Sequence, residues 1–308
     1  MPGGNKKIQT INLKTTRNTK IKWVNIINAQ ESEIDKLHQE YKFDLSDLHD
    51  ASSHVSAQHA KINAGDNYLF TVFRFPFYDK KENTINGTEV DFFVGKNYLI
   101  MLHAGKLKTL KKIFSANYQA RSATDLFYKI MDVLIDNSFS LLDDLSEKAD
   151  EVENLIFSKE SKVAATTLLD LRRGLINLRS IVQNYQSILE KFERFTHEIH
   201  ISSSSTYTLV DEKTKDLWNT IENRKQMVEA LYATNESILN YRLNDIMKTL
   251  TIFSVIVFPL TLLAAVFGMN TMNSMPFVKN PNDFWIIVII MLVGCMIMLG
   301  FFKWKKWV

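Results

Sequence analysis

Two long stretches without a charged residue, near the C-terminus, constrain this chain more than any other feature. The first runs from Leu250 to Phe267 and the second from Phe284 to Phe302. An uncharged, predominantly apolar run of about 18 residues or more is typical of a helix that spans a membrane. The chain as a whole is 46% hydrophobic and 23% charged, so the long segment before these runs can fold in water around a core. The sequence therefore predicts a large water-soluble body followed by two membrane spans.

The charges and the cysteine count narrow the cellular setting. Lys303, Lys305 and Lys306 directly follow the second run, and the positive-inside rule places such residues in the cytoplasm. Two spans then put both termini on the cytoplasmic side of the cell (inner) membrane. The formal net charge of +3 is too small to indicate a nucleic-acid-binding surface. The single cysteine, Cys295, lies inside the second run and can form no disulfide within the chain.

The loop between the two runs carries a motif. It begins Gly268-Met269-Asn270 and continues to Met275-Pro276. Two terminal spans joined by such a loop, with a long charged helix before them and a lysine-rich tail after them, resemble the CorA family of divalent-metal transporters. The resemblance implies a funnel-shaped homopentamer that passes Mg²⁺, Co²⁺ or Ni²⁺ along an axial pore lined by the first span. It also implies that Gly268, Met269 and Asn270 form the selectivity filter.

The N-terminal segment, residues 1–121, reads as an α+β domain. Strands are predicted at Ile21–Ile26 and Tyr68–Phe75, a helix at Glu31–Tyr41, and further strands ending near Val94 and Met101. Asn86-Gly87 is a strong hairpin signal, so we expect a turn there.

Long helices follow this domain. Residues 122–200 are predicted as an antiparallel helical hairpin, with helices from Ser122 to Phe157 and from Ser161 to about His197. Residues 201–267 are predicted as a stalk helix that continues into the first span. The remaining predicted segments are the extracytoplasmic loop 268–283, the second span 284–302 and the basic cytoplasmic tail 303–308.

The stalk helix carries a polar stripe. Steps of three and four residues keep positions on one helical face, and such steps connect amide, small and hydroxyl residues with a short apolar interruption. Within and beside the first span these positions are Asn244, Met247, Leu250, Ser254, Phe258 and Thr261. Beside the stripe runs an apolar seam, Leu217, Ile221, Val228, Leu231 and Ile238. We interpret the seam as a contact between subunits and the stripe as the wall of a water-filled axis.

The resemblance assigns pore-lining roles to the six stripe residues. Mg²⁺ releases its water slowly, so a ring of Asn270 carbonyl groups suits a hydrated ion. Met247 and Leu250 can form an apolar collar that dewets when the pore closes. Two positions depart from the family pattern: Phe258 stands where many relatives have Met, and Phe277 stands where relatives usually have Glu. The missing acid predicts weaker attraction of cations to the outer mouth.

The resemblance further implies gating by cytoplasmic Mg²⁺ bound between neighbouring subunits. Asp50 and Asp211 fall near the expected positions, although ordinary surface carboxylates would look the same. His49, His54 and His59 are spaced by five residues, which does not place metal ligands on one helical face. No organic cofactor is implied.

Two other functions remain open from the residues alone. One is a Zn²⁺ transporter of the ZntB type, possibly coupled to protons. The other is a membrane-anchored coiled-coil scaffold without transport, which would not need the uncharged stripe. An enzyme is not favoured, because the sequence has no Gly-rich phosphate loop and no nucleophile elbow.

Overall fold

The computed structural model describes residues 8–14, 20–52, 61–115, 119–158, 161–199, 201, 204–269, 282–305 and 307. The chain divides into two compact units, residues 1–233 and residues 234–308. The strands are β1 (Ile8–Lys14), β2 (Lys20–Ile27), β3 (Lys61–Ala64), β4 (Tyr68–Asp79), β5 (Thr84–Gly95) and β6 (Tyr98–His103). The helices are α1 (Glu31–Tyr41), α2 (Leu45–Ser52), α3 (Lys108–Ser115), α4 (Ala123–Phe157), α5 (Ser161–Val182), α6 (Tyr185–Glu198), α7 (Thr206–Phe267) and α8 (Asp283–Trp304). These elements confirm the predicted α+β domain, the long helices and the two C-terminal apolar helices.

The six strands form one mixed sheet in the order β1-β2-β6-β5-β4-β3. Only β2 and β6 are parallel; every other neighbouring pair is antiparallel. The central strands β5 and β6 are almost entirely buried, as expected for strands covered on both faces.

One face of the sheet packs against α1 and α2. Phe43, which follows α1, stacks on Phe93 of β5 with ring centroids 4.4 Å apart, and the surrounding cluster includes Leu37, Leu48 and Ile100. The predicted bounds of α1 are confirmed. Its start is stabilised by the Gln30 N–H, which donates to Glu33 Oε2 at 2.8 Å.

The opposite face packs against α3, α4 and α6 through aromatic rings. Trp23 of β2 lies 4.0 Å from Phe114 of α3 between ring centroids, and Phe92 of β5 meets Phe127 of α4 edge-on at 5.1 Å. Phe127 in turn stacks on Phe192 of α6 at 4.2 Å. Such contacts combine large apolar burial with preferred ring geometry, so they fix the helices on the sheet.

The predicted turn at Asn86-Gly87 is wrong. Both residues lie inside β5, where Asn86 pairs with Phe77 of β4. The turn falls at residues 80–83, and Asn83 takes the positive φ of 52°. A Cβ on Gly87 would lie 2.9 Å from the Arg74 guanidinium, so that flexible side chain lies directly over Gly87.

The predicted helix from Ser122 to Phe157 is confirmed, with Ser122 as its N-cap. The predicted uninterrupted helix from Ser161 to His197 is wrong, because a turn at residues 183–184 separates α5 from α6. The turn directly precedes Tyr185, which is fully buried and donates its hydroxyl hydrogen to the Arg74 carbonyl at 2.5 Å.

Helix α7 holds 62 residues and contains Pro259. Part of the apolar seam has a different role from the one predicted. Leu217, Ile221 and Val228 are at most 3% exposed within the single chain, so they pack inside the subunit rather than between subunits.

Candidate functional site

Among the residues that the structure describes, two helices are long and apolar enough to cross a membrane. They are Thr206–Phe267, in its C-terminal part, and Phe284–Trp304, and no residue in the most apolar window of either is buried. A helix that satisfies its own backbone is one of the two structures that lipid tolerates. The second unit therefore has the composition of a membrane-embedded region.

The polar stripe lies on one face of α7. Met247, Leu250 and Phe258 are 58%, 56% and 70% exposed in the single chain, and Asn244 and Thr261 are also exposed. Ser254 is partly buried. The structure thus brings the six predicted positions onto a single helical face, which a continuous α-helix requires at this spacing.

From residue 252 onward the other side of the helix is apolar, whereas Asp245 and Thr249 precede it on that side. Ile252, Ile256 and Leu263 lie there, and all three are partly buried. Since a lipid-facing helix needs no amide or hydroxyl groups, the contrast between the two faces marks the stripe as the chemically distinct one.

The hydroxyl groups of the span are held by their own helix. Thr261 Oγ1 donates to the Val257 carbonyl at 2.9 Å, and Thr251 Oγ1 donates to the Met247 carbonyl at 2.7 Å. Each hydrogen is thereby used, while the oxygen lone pairs remain acceptors. An outward-facing row of acceptors can take hydrogen bonds from water molecules, including those bound to a cation.

Helix α7 ends at the predicted filter motif. The Gly268 N–H donates to the Ala264 carbonyl at 2.9 Å, and the Met269 N–H donates to the Val266 carbonyl at 3.3 Å. A Cβ on Gly268 would lie 3.0 Å from the same Ala264 oxygen, so the site favours glycine. Asn270 lies outside the described residues, as do Met275, Pro276 and Phe277.

The two predicted regulatory acids lie in the first unit, each beside a lysine of the same chain. Asp50, at the end of α2, accepts from Lys61 Nζ at 2.5 Å. Asp211, in α7, accepts from Lys215 Nζ at 2.7 Å. Within the residues described here, no group of three His, Cys, Asp or Glu side chains could hold a metal ion.

The histidines show no metal-binding arrangement where they are described. His49 belongs to α2, and His54 and His59 lie outside the described residues. His103 is buried and has two nitrogen contacts, to Asn25 Oδ1 at 2.9 Å and from the Gly105 N–H at 2.9 Å. Burial lowers the pKa of His103 to about 4, so it is a neutral structural histidine near pH 7.

Among the described residues three acids are buried, Asp47, Asp91 and Asp125, and the sequence analysis singled out none of them. Asp125 of α4 accepts hydrogen bonds from Ser204 and Thr206. Asp91 lies on the β5 face that otherwise packs in the core. A signal was present in the sequence. Alternate residues of a strand share one face, so Glu89 and Asp91 had to lie on the same face of β5 as the core residue Phe93.

Known proteins resemble this chain over nearly its whole length. The family model described as CorA-like Mg²⁺ transporter protein matches residues 18–304. The cobalt/magnesium transport protein CorA of Thermotoga maritima is 24% identical over 299 residues, covering 92% of this chain and 83% of that protein.

Solved structures give the same result for the fold. The CorA magnesium transporter from Methanocaldococcus jannaschii has a TM-score of 0.79 at 18% identity, with 97% of this chain and 98% of that chain covered. The ZntB cytoplasmic domain from Vibrio parahaemolyticus has a TM-score of 0.55 at 12% identity, with 76% and 98% covered. With a family model matched from residue 18 to residue 304, the chain belongs to the CorA-like Mg²⁺ transporter family.

Proposed function

We propose that this protein is a homopentameric, passive channel for divalent cations, with Mg²⁺ as the favoured ion and Co²⁺ or Ni²⁺ as further substrates. The observation that carries the proposal is that Asn244, Ser254 and Thr261 share one face of an otherwise apolar span, where Met247, Leu250 and Phe258 alternate with them. A helix used only as an anchor has no need of such a face. Family membership and the names of the relatives support the same conclusion.

In this proposal, five copies of α7 stand around a water-filled axis and turn Asn244, Met247, Leu250, Ser254, Phe258 and Thr261 toward it. Thr261 offers lone pairs to the waters of a hydrated ion, because its hydrogen is already donated to Val257. Asn244 supplies amide oxygens near the inner end. Met247 and Leu250 form the apolar collar, and the bulky Phe258 narrows the axis further.

The filter is proposed at Gly268, Met269 and Asn270. A ring of neutral Asn270 amides binds a hydrated cation through hydrogen bonds to its water molecules. Because the amides carry no charge, the ion can dissociate again. This suits Mg²⁺, which dehydrates reluctantly. The second span is followed by Lys303, Lys305 and Lys306. By the positive-inside rule, these lysines support an orientation in the inner membrane with both termini in the cytoplasm.

Closure by cytoplasmic Mg²⁺ is the remaining part of the proposal. Asp50 of one subunit and Asp211 of its neighbour would share the ion. Each acid is paired with a lysine in the single chain, so the ion would compete with Lys61 and Lys215 for these carboxylates. The Asp50–Lys61 pair is exposed on both sides, and exposed pairs are weak, so competition is most feasible there; Asp211 is only 13% exposed.

The test is flux into proteoliposomes containing the purified full-length protein, with Mg²⁺, Co²⁺, Ni²⁺ and Zn²⁺ compared in turn. Asn270→Ala should lower Mg²⁺ entry by about tenfold or more, because the water-mediated hydrogen bonds of the ring are lost. Asn273→Ala is the matched control in the same loop and should leave entry unchanged.

The alternatives give different results. Unchanged Mg²⁺ entry in Asn270→Ala would refute the filter. Zn²⁺ flux that follows a pH gradient and exceeds Mg²⁺ flux would assign the protein to the ZntB-like class. If no divalent cation enters the proteoliposomes under any condition, transport is refuted and the membrane-anchored scaffold becomes the favoured function.

A further inference from the structure

A groove runs between the β4–β5 hairpin and the helices α4 and α5 of the first unit. It consists of two adjoining cavities of about 360 Å³ and about 220 Å³. Both cavities are lined by Tyr78, Ile85, Leu145, Lys148 and Glu151. The two cavities are therefore the lobes of one groove, whose lining comes from a single chain.

The floor of the groove is apolar. Ile85 of β5, Leu145 of α4 and Leu171 of α5 line it and are at most 8% exposed. Gly174 lines the smaller lobe without adding a side chain, and a Cβ there would lie 3.1 Å from Leu145. An apolar floor of this kind favours a ligand that carries methylene groups, because their removal from water is favourable.

Acidic side chains also line the groove. Asp144, Glu147 and Glu151 follow one another on α4 at steps of three and four residues, so they share one helical face. Asp170 joins them from α5. All four are exposed, and within the described residues none of them takes part in an ion pair. Lys148 is the one basic residue among the described side chains that line the groove, so four carboxylates and one ammonium leave three negative charges.

The Tyr78 ring shows which kind of cation the groove accepts. The Lys148 ammonium lies 5.2 Å from the centroid of this ring, which is within the range of a cation–π contact. The Tyr78 hydroxyl donates to Asn83 Oδ1, so the ring is held at the end of the hairpin. Its face therefore attracts an alkylammonium group, and Lys148 already provides one.

Thr84 supplies an unused acceptor. It lines the smaller lobe and is 6% exposed, and its Oγ1 has no hydrogen-bond partner among the residues that the structure describes. The hydroxyl of Thr167, in the same lobe, instead donates to the Val163 carbonyl at 3.0 Å. A buried hydroxyl oxygen without a partner is costly, so a ligand N–H group that donates to Thr84 removes that cost.

We propose that this groove binds a linear aliphatic polyamine, a triamine of the size of spermidine. Its ammonium groups balance the three negative charges of the lining. Its methylene groups cover the apolar floor, and one of its N–H groups donates to Thr84 Oγ1. Asp144 and Glu151 are separated by about 10 Å along the axis of α4, which is of the order of the length of an extended triamine.

The composition of the groove favours an organic amine over a metal ion. A hydrated metal ion cannot use an apolar floor, and in the described part of the chain no three His, Cys, Asp or Glu side chains are grouped to hold a metal. The site goes beyond the proposed function, because its ligand is an organic cation and its residues belong to neither the proposed pore nor the proposed regulatory pair.

Isothermal titration calorimetry with spermidine tests the site on the full-length protein in detergent. Saturable binding of one spermidine per subunit is expected at physiological ionic strength. Excess Mg²⁺ should not abolish this binding, because the ion replaces neither the contacts with the floor nor the contact with Tyr78. The shorter diamine putrescine should bind about fivefold more weakly, since it has fewer charges and fewer methylene groups.

Substitutions separate the groove from the acidic surface in general. Tyr78→Leu removes the ring face and Thr84→Val removes the acceptor at constant shape, and each should weaken spermidine binding about two- to fivefold. Asp170→Asn should have an effect of similar size, whereas Asp143→Asn, which is exposed on α4 outside the groove, should have none. Lys148→Met should strengthen binding, because it removes the ammonium that competes for the Tyr78 ring.

Four results would overturn the assignment. They are the lack of saturable spermidine binding, complete displacement of spermidine by Mg²⁺, equal losses of affinity in Asp143→Asn and Asp170→Asn, and unchanged affinity in both Tyr78→Leu and Thr84→Val. The last two would show that spermidine binds to negative charge alone and not to this groove.

Discussion

Thr206 Oγ1 donates a hydrogen bond of 2.8 Å to Asp125 Oδ1, which ties the first residue of α7 to the first turn of α4. Ser204 Oγ donates to the same oxygen at 3.0 Å. Asp125 Oδ2 accepts from the Arg121 N–H at 2.9 Å and from Lys129 Nζ at 3.0 Å. One buried carboxylate therefore holds the start of the longest helix against the helical layer of the N-terminal domain.

Asp125→Asn should destabilise the protein by about 2–3 kcal/mol, because hydrogen bonds to a charged group contribute about 1.5–3 kcal/mol and an amide offers only one acceptor oxygen. Thr206→Val should cost less, about 1 kcal/mol, since it removes one donor and keeps the shape. Thermal unfolding followed by tryptophan fluorescence measures both. The exposed Asp143→Asn on the same helix is the control and should leave the unfolding midpoint unchanged.

The same carboxylate predicts a pH dependence. Burial raises the pKa of Asp125, but the hydrogen bonds from Arg121, Lys129, Thr206 and Ser204 outweigh it and hold the pKa below its ordinary value of 3.8. A lowered pKa in the folded state means that the stabilisation is present above the unfolded-state pKa and is lost as the pH falls through the folded-state pKa. The difference in unfolding midpoint between wild type and Asp125→Asn should therefore be constant from pH 7 to about pH 5 and should shrink below about pH 4. A difference that stays the same into the acid range would contradict this account.

Gly268→Ala should impair transport without unfolding the protein. The added methyl group would lie 3.0 Å from the Ala264 carbonyl oxygen, so the end of α7 must shift to accommodate it. Because Met269 and Asn270 follow directly, we expect Mg²⁺ flux to fall about five- to tenfold, which corresponds to about 1–1.4 kcal/mol. Flux and unfolding midpoint should be measured on the same preparation.

Gly294→Ala in α8 is a matched control for that substitution. A Cβ on Gly294 meets no atom within 4 Å beyond the backbone of its own helix, so flux should remain at the wild-type level. Equal losses in the two variants would show that any added methyl group in a span is harmful, and the special role of the α7 end would be refuted.

Local patterns in the sequence predicted most of the elements, because those elements depend on local signals. The helix Glu31–Tyr41 has acidic residues in its first turn and no internal Gly or Pro, and the two spans follow from length and lack of charge. The single face of α7 from Asn244 to Thr261 was also predictable, since helical periodicity alone determines it.

The errors arose where tertiary contacts decided the outcome. Asn86-Gly87 is a hairpin signal in isolation, but β4 continues to residue 79 and β5 begins at residue 84, so both residues are paired within the sheet. The turn at residues 183–184 directly precedes Tyr185, whose hydroxyl group donates a hydrogen bond to the carbonyl of Arg74, 111 positions away in the sequence. The burial of Asp91 depends on how other elements cover β5, and no local pattern contains that information.

The polar stripe makes the sharpest prediction, because in the proposed channel one face of the first span contacts water and the opposite face does not. Cysteines introduced at Asn244 and Thr261 should react with a membrane-impermeant, positively charged thiol reagent and block Mg²⁺ flux, since the ion pathway must be wet. Cysteines at Ile252 and Leu263, on the other side of the same helix, should react slowly and leave flux intact. The background should carry Cys295→Ser, which removes the only native thiol. A thiol reacts through its thiolate, and a thiolate forms far more readily in water than in hydrocarbon, so the ratio of reaction rates between the two faces reports hydration directly. Equal, slow reaction at all four positions would mean that the stripe faces lipid or protein, and the proposed channel would then have no axis through which a hydrated cation could pass.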